Sequence, residues 1–303
     1  MAVRMENGFE IVGIRTLPRE EQTRTRGHRR DKESEKSFLG AALILTTIIL
    51  GCLLCDLFVS RDPGYLDLRN YSVPPGREFL FGTDTMGRDI FAMIWYGGRI
   101  SLTIGIAAAM LSTILGVFFG ALSGCAPVWA DALMMRLVEI LLSIPSLMAV
   151  ILIQAILGEA NVFSISFVLG ITGWMSIAKV VRSEVRQIRE CEYVIASRCM
   201  GGGFFHILWR HLTPNFVSSI MFMVVMNIRS AIVAESTLSF MGIGLPVEVI
   251  TWGSMLSLSE DAMLANAWWI ILFPGAFLVV ALLCFTGLGN HLRRNFNRGQ
   301  SNL

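Results

Sequence analysis

Apolar positions in this chain run in long unbroken blocks. Six blocks stand out, at about 38–59, 100–122, 133–157, 162–178, 216–240 and 267–288, the fourth being the shortest. A helix needs roughly 20 apolar residues to cross the hydrocarbon core of a bilayer. Lipid offers backbone N–H and C=O groups no outside partner, so such spans must be helices or closed barrels. The blocks show none of the alternation a barrel strand needs. The pattern therefore predicts an all-α polytopic membrane protein with six transmembrane helices. A tail at 1–37 precedes the first span at 38–59. A polar segment follows at 60–98, then a five-helix core at 99–290 with a polar connection at about 180–215, and a tail at 291–303.

Composition agrees. Hydrophobic residues make up 54% of the 303, charged residues only 16%, and the mean hydropathy is +0.61. Soluble domains carry about 25% charged residues. The net charge of +2 gives no reason to expect nucleic-acid binding, but its distribution sets an orientation. Nine Lys and Arg precede the first span, six lie between the fourth and fifth spans, three follow the sixth, and the loop between the fifth and sixth has none. Positive charge accumulates on the cytosolic side, so both termini and the 180–215 connection are expected in the cytosol. The first 37 residues hold no apolar core of a cleavable signal, so the first span is read as retained. The tail is polar and mixed in charge, suited to disorder or to loose contact with the anionic inner surface. Cys52 and Cys55 have redox-motif spacing but sit within an apolar run, where they are expected as small helix residues. No structural disulfide is predicted.

Inside the spans, Gly116, Gly120 and Gly124 recur every fourth residue and predict a face for close helix packing. Pro145 and Pro274 are expected to kink the third and sixth spans. Arg136 and Glu139, three residues apart, are expected to pair locally. Arg229 and Glu235 lie within the fifth span, where ionisable groups are costly. Six residues apart, they face different sides of a straight helix. Either they line or brace a path through the membrane, or they form buried pairs with other helices or a second subunit; both readings stay open.

Catalytic signatures are missing. The three lysines, Lys32, Lys36 and Lys179, lack a phosphate-loop glycine context, and the four histidines form no zinc motif. No metal site and no cofactor bound by this chain are expected, and any ATP chemistry must lie on another chain. A membrane-embedded enzyme would need a constellation that is not apparent. A passive channel or ion-coupled carrier would not need the long polar connection.

That connection carries the most information. From Glu192 to Met200 the residues suit a short helix with small side chains at Ala196 and Ser197, ending at Gly201, where positive φ costs little. Such a helix, tied to two spans, could enter a groove on a partner and transmit a rigid displacement. The stretch resembles the EAA loop of ABC-importer permeases, which reads Glu-Ala-Ala, three residues, Gly, nine residues, Ile-x-Leu-Pro. Ala196, Gly201 and Pro214 match it; Ile195, Ser197, His211 and Thr213 depart. In the peptide and nickel branch the corresponding form fits Tyr193, Val194, Ala196, Arg198, His211, Pro214 and Asn215. The segment from Phe81 to Ile90, with Asp84, Gly87, Arg88 and Asp89, is similar to that branch's Gly-Thr-Asp-x-x-Gly-Arg-Asp. The segment from Glu235 to Gly244, with Trp252 and Gly253, is similar to its Glu-x-x-Leu-Ser-Phe-Leu-Gly-Leu-Gly and the Trp-Gly that follows. At the C-terminus Asn290 and Arg294 stand where the family usually has aspartates.

The resemblance implies a type I ABC importer permease fold and the C-type permease of a dipeptide or oligopeptide importer, with nickel or metal-chelate import as the alternative. It implies a bacterial cytoplasmic membrane location, a homologous B-type permease, two ABC ATPase subunits holding ATP and Mg, and an extracytoplasmic solute-binding protein. Solute would move by alternating access. The ATPase dock would span 192–204, with Glu192, Tyr193, Ala196, Ser197, Arg198, Gly201, Gly202 and Phe204. The Gly82–Asp89 segment would lie outside, either touching the binding protein or capping the bundle.

Overall fold

The apolar blocks fold as helices, and among the described residues the sole β feature is an isolated bridge between Thr83 and Asp89. The computed structural model describes residues 38–59, 61–201, 213–246, 248–264 and 266–300. The helices are α1 (Phe38–Leu53), α2 (Cys55–Phe58), α3 (Ile90–Cys125), α4 (Val128–Leu142), α5 (Ser146–Leu157), α6 (Val162–Arg189), α7 (Glu192–Cys199), α8 (Thr213–Phe240), α9 (Trp252–Ser257), α10 (Ser259–Leu264) and α11 (Trp269–Gln300). Four stretches are long and apolar enough to cross a membrane: Ile90–Cys125, Val162–Arg189, Ile220–Phe240 and Trp269–Arg294. The bent pair α4–α5 makes a fifth if taken as one span, and α1 is apolar but shorter.

Two expectations need correction. The single span at 133–157 is instead two helices meeting at 86°. Pro145 has no N–H to continue the ladder and disfavours helical geometry in the residue before it. Ser143 closes α4, its N–H donating to Glu139 O at 3.0 Å and its Oγ to Ile140 O at 2.6 Å. Pro145 then opens α5, its carbonyl accepting from Ala149 N at 3.1 Å. The result is a break rather than a kink. By contrast α11 runs on through Pro274.

The second correction is to the boundary at 98/99. Helix α3 begins at Ile90, where Asp89 caps it by accepting from Phe91 N at 3.0 Å. Gly97 and Gly98 therefore sit within the helix, where they allow close approach. A Cβ at Gly97 would lie 3.2 Å from Ile250 and Thr251, and one at Gly98 would lie 2.6 Å from Cys52 Sγ and 2.7 Å from Trp252. Helix α6 likewise continues past 178 to Arg189, so the first ten residues of the expected polar connection extend a span.

Helix α3 is central, packing on α6, α8, α9 and α11, with the α3–α6 contact the most extensive. The glycine face predicted on α3 forms that seam. A Cβ at Gly116 would meet Ile177 Cβ at 2.7 Å, at Gly120 Ala178 O at 2.5 Å, and at Gly124 Val185 Cγ1 at 2.7 Å. Cys52 and Cys55 are buried and unbridged.

Candidate functional site

Five arrangements stand out, running from one end of the bundle to the other. At the first end, α6 leads through Glu190 and Cys191 into α7. Val194 is fully buried and packs in one cluster with Val181, Val185 and Ile188 of α6 and with Ala121 of α3. The opposite side of α7 is open: Glu192 and Cys199 are exposed, Ile195 is half exposed, and Met200 beyond it is 82% exposed. Ser197 is buried. Gly201 has φ +85°, and a Cβ there would meet no atom within 4 Å, so its constraint is backbone conformation rather than space. Tyr193, Ala196 and Arg198 lie on this helix; Gly202 and Phe204 fall outside the described residues.

Next to it, Asp131 of α4 ties the bent helix to α6. Its carboxylate accepts both Nε and Nη2 of Arg182 in a bidentate pair and forms an ion pair with Arg186 Nη1 at 3.2 Å, and Ser123 Oγ of α3 donates to it at 2.6 Å. A fork-to-carboxylate pair fixes orientation as well as distance. Arg136 and Glu139 form the expected local pair at 3.5 Å on the exposed side of α4.

Midway along the bundle, the α4–α5 break opens on two adjoining cavities of about 480 and 150 Å³, walled by α5, α6 and α8. Ser146, Thr172, Gly173, Asn227 and Ser230 line both, and Leu141, Leu142 and Ile144 bring the break to the larger one. None of the lining side chains is charged. The buried Asn227 Nδ2 has no hydrogen-bond partner among the described residues, and neither has Arg229 Nε two positions further on.

Beyond the cavities, Glu235 is fully buried and collects hydroxyls. Thr251 Oγ1 donates to Oε1 at 2.8 Å and Ser239 Oγ at 3.0 Å; Ser101 Oγ reaches Oε2 at 3.4 Å and Ser236 Oγ at 3.5 Å. Thr251 also caps α9, accepting from Ser254 N, and Trp252 Nε1 donates to Ile94 O of α3 at 3.0 Å. Gly253 permits the approach, since a Cβ there would lie 2.5 Å from Ser236 Cα. One carboxylate thus fastens α8, α9 and α3 together. Further out, Asp84 and Arg88 are buried against each other at 2.7 Å, and Asp84 Oδ1 also accepts Met86 N and Arg88 N, each at 2.8 Å. Gly87 has φ +77°, and a Cβ would strike the Asp67 carbonyl. Trp269 Nε1 of α11 donates to Thr83 O at 3.1 Å, which binds this turn to the bundle. Burial pushes the Asp89 carboxyl above its usual range, opposed by the Phe91 N–H and the Arg61 guanidinium.

Residues 116–298 match the family model described as binding-protein-dependent transport system inner membrane component. The chain belongs to that family. It is similar to the oligopeptide transport system permease protein OppC of Bacillus subtilis, 36% identical over 260 residues, covering 86% of this chain and 85% of the relative. It is similar also to the dipeptide transport system permease protein DppC of the same organism, 34% identical over 268 residues, covering 88% and 82%. A putative peptide permease protein of Brucella suis is 34% identical over 256 residues, covering 84% of each. The chain is thus an inner membrane transport permease, not an enzyme.

In this permease the residues singled out from sequence do not form one site. Glu192, Ser197 and Gly201 lie at one end, Glu235 stands near the far side of the cavities, and Asp84 to Asp89 form the turn ahead of α3. Arg229 and Glu235 share α8, but the donors on Glu235 are hydroxyls. Sequence reasoning missed the cavity wall. Its signal was available: Asn227, Ser230 and Ala234 recur at i, i+3 and i+7, a polar and small stripe along one face of α8.

Proposed function

We propose that this chain is one of two paired permease subunits of an ATP-driven importer of dipeptides or oligopeptides. It crosses the membrane six times, α4 and α5 together making the third passage, with both termini and α7 in the cytosol. A homologous permease pairs with it, two ABC ATPases dock from the cytosol, and a solute-binding protein delivers peptide from outside. ATP and Mg belong to the ATPases. Family membership and the OppC and DppC relatives support the class and substrate; the Lys and Arg distribution supports the orientation.

The observation that carries the mechanism is α7: a short helix anchored on α6 by Val194, open on its other side, and ended by Gly201 at positive φ. An ATPase gripping the open side displaces α6. Asp131, clamped by Arg182 and Arg186, passes that displacement to α4 and so to the break beside the cavities. Closure of the ATPases turns the cavities outward and hydrolysis resets them, which is alternating access by rigid-body rocking. Asp84 and Arg88 face each other rather than solvent, so this turn serves as a cap on the bundle.

The test uses the full complex in proteoliposomes with its binding protein, following ATP-dependent uptake of a labelled tripeptide. Gly201→Val strains the αL position by about 1–2 kcal/mol, and Met200→Glu places charge on the docking side. Both variants should insert normally and lose coupled uptake, either with hydrolysis continuing or with the ATPase no longer co-purifying. Wild-type uptake by both variants would overturn the docking role, and wild-type uptake of a nickel chelate but not of peptide would overturn the substrate.

A further inference from the structure

The two cavities at the α4–α5 break hold chemistry that neither coupling nor bundle bracing uses. Gly173 of α6 faces the Asn227 amide of α8, and a Cβ on Gly173 would lie 3.1 Å from Asn227 Oδ1 and 2.8 Å from Ser112 Oγ. The absent side chain therefore keeps the amide clear. Asn227 Nδ2 is a buried donor with no partner among the described residues, and leaving such a group unpaired costs about 1–3 kcal/mol. Beside it, Thr172 commits its hydroxyl proton to Val168 O at 2.9 Å, so toward the cavity its oxygen can only accept. Ser230, exposed to the cavity on the same wall, can do either. Asn227, Thr172 and Ser230 thus bring amide and hydroxyl groups to one cavity whose lining residues carry no charge. The larger volume, about 480 Å³, lies within the roughly 300–1,000 Å³ typical of small-molecule sites.

A peptide unit presents the complement: one C=O and one N–H, uncharged, the same at every residue. We propose that Asn227, Thr172 and Ser230, with the clearance at Gly173, form a transit site that hydrogen-bonds the main-chain amides of the peptide in passage. The site reads backbone rather than side chain. Lacking a fixed charge, it holds basic, acidic and neutral side chains alike, and it leaves selection by side chain to other parts of the machine. The inference rests on the proposal that the substrate is a peptide.

The test compares a labelled tripeptide with its analogue in which the central amide is replaced by an ester, which removes the N–H and weakens the carbonyl acceptor. Uptake of each is measured at saturating binding protein, in proteoliposomes of the complete complex. Because the binding protein is common to all samples, a change in the amide-to-ester ratio between variants reports on the permease. Asn227→Leu is close to isosteric and removes both amide functions; Ser230→Val alters a position already exposed. Losing one hydrogen bond should lower tripeptide uptake about tenfold, with ATP hydrolysis within about twofold of wild type and the amide-to-ester ratio moved toward one. If both variants assemble and keep the wild-type ratio, the transit site is refuted while peptide import stands. If the variants instead lose the partner permease on purification, Asn227 and Ser230 belong to a subunit interface and the proposal falls. If the wild-type complex takes up neither peptide nor ester, the functional reading itself has failed. An intermediate check is Gly173→Ala, whose methyl crowds the Asn227 amide. It should lower uptake in the same direction, and unchanged uptake would count against the clearance at Gly173.

Discussion

Asp84 and Glu235 are both carboxylates withdrawn from solvent, and they are stabilised in different ways. Asp84 has a formal counter-charge in Arg88, whose side chain is itself only 6% exposed. Removing one member of a buried pair strands the other, at a cost of about 3–5 kcal/mol. Asp84→Ala should therefore be among the most destabilising substitutions outside the spans, and thermal unfolding in detergent would register it as a large fall in midpoint. Glu235 has hydroxyl donors instead. Glu235→Gln keeps an acceptor for part of the set, whereas Glu235→Ala leaves Thr251, Ser239 and Ser101 without one. The expected order of stability is wild type, then Gln, then Ala, with each unpaired buried donor costing about 1–3 kcal/mol. Equal midpoints for Gln and Ala would show that the hydroxyls find other acceptors. That Glu235 mattered was legible in the sequence, since a carboxylate inside an apolar run always needs a partner. Which partner was not, because Ser101 and Thr251 lie 134 positions upstream and 16 downstream.

At the scale of elements, boundaries were less legible than cores. Gly97 and Gly98 look like punctuation in a sequence, yet here they are contact points for Thr251 and Trp252, and α3 begins seven residues earlier at its Asp89 cap. Capping is local chemistry that a hydropathy pattern does not register. Asp89→Ala should cost about 0.5–2 kcal/mol of stability through the lost cap, while Asp89→Asn retains it. The sign of the pH dependence follows from the raised carboxyl. The native state holds its proton more tightly than the unfolded chain, so ionisation at Asp89 costs stability above the raised value. That cost disappears as pH falls below the ordinary carboxylate range. Asp89→Asn should therefore gain on wild type at neutral pH and lose that advantage in acid, as unfolding midpoints across pH would reveal. Pro145 was legible as a disturbance, but the size of the break depends on where α4 is held, and that is set by Asp131 and two arginines 51 and 55 positions away. Asp131→Asn should leave α7 and the ATPase contact intact and lower peptide uptake severalfold at constant hydrolysis. Undiminished uptake would rule out α4 as a follower of α6.

Across the whole molecule, the all-helical class and the order of the long apolar helices could be read from sequence because lipid imposes one solution on an apolar run of that length. The tertiary arrangement could be read in one place, the glycine seam, because four-residue spacing of small residues has a single structural use. The cavity could not be read, since it is bounded by three helices and a break that no local pattern brings together. The seam also makes a prediction at this scale. Gly120→Leu would force a side chain against Ala178 and Val181, prising α3 from α6. The whole bundle, rather than one site, should then lose stability, seen as reduced membrane abundance and loss of every partner at once.

Gly173 stands twelfth of the 28 residues of α6, so about 17 Å of a rod of about 42 Å extends on one side of it and about 24 Å on the other. A seesaw moves least at its fulcrum. A tilt of α6 that swings its two ends in opposite directions leaves cargo resting near Gly173 almost in place, while the passage widens on one side and narrows on the other.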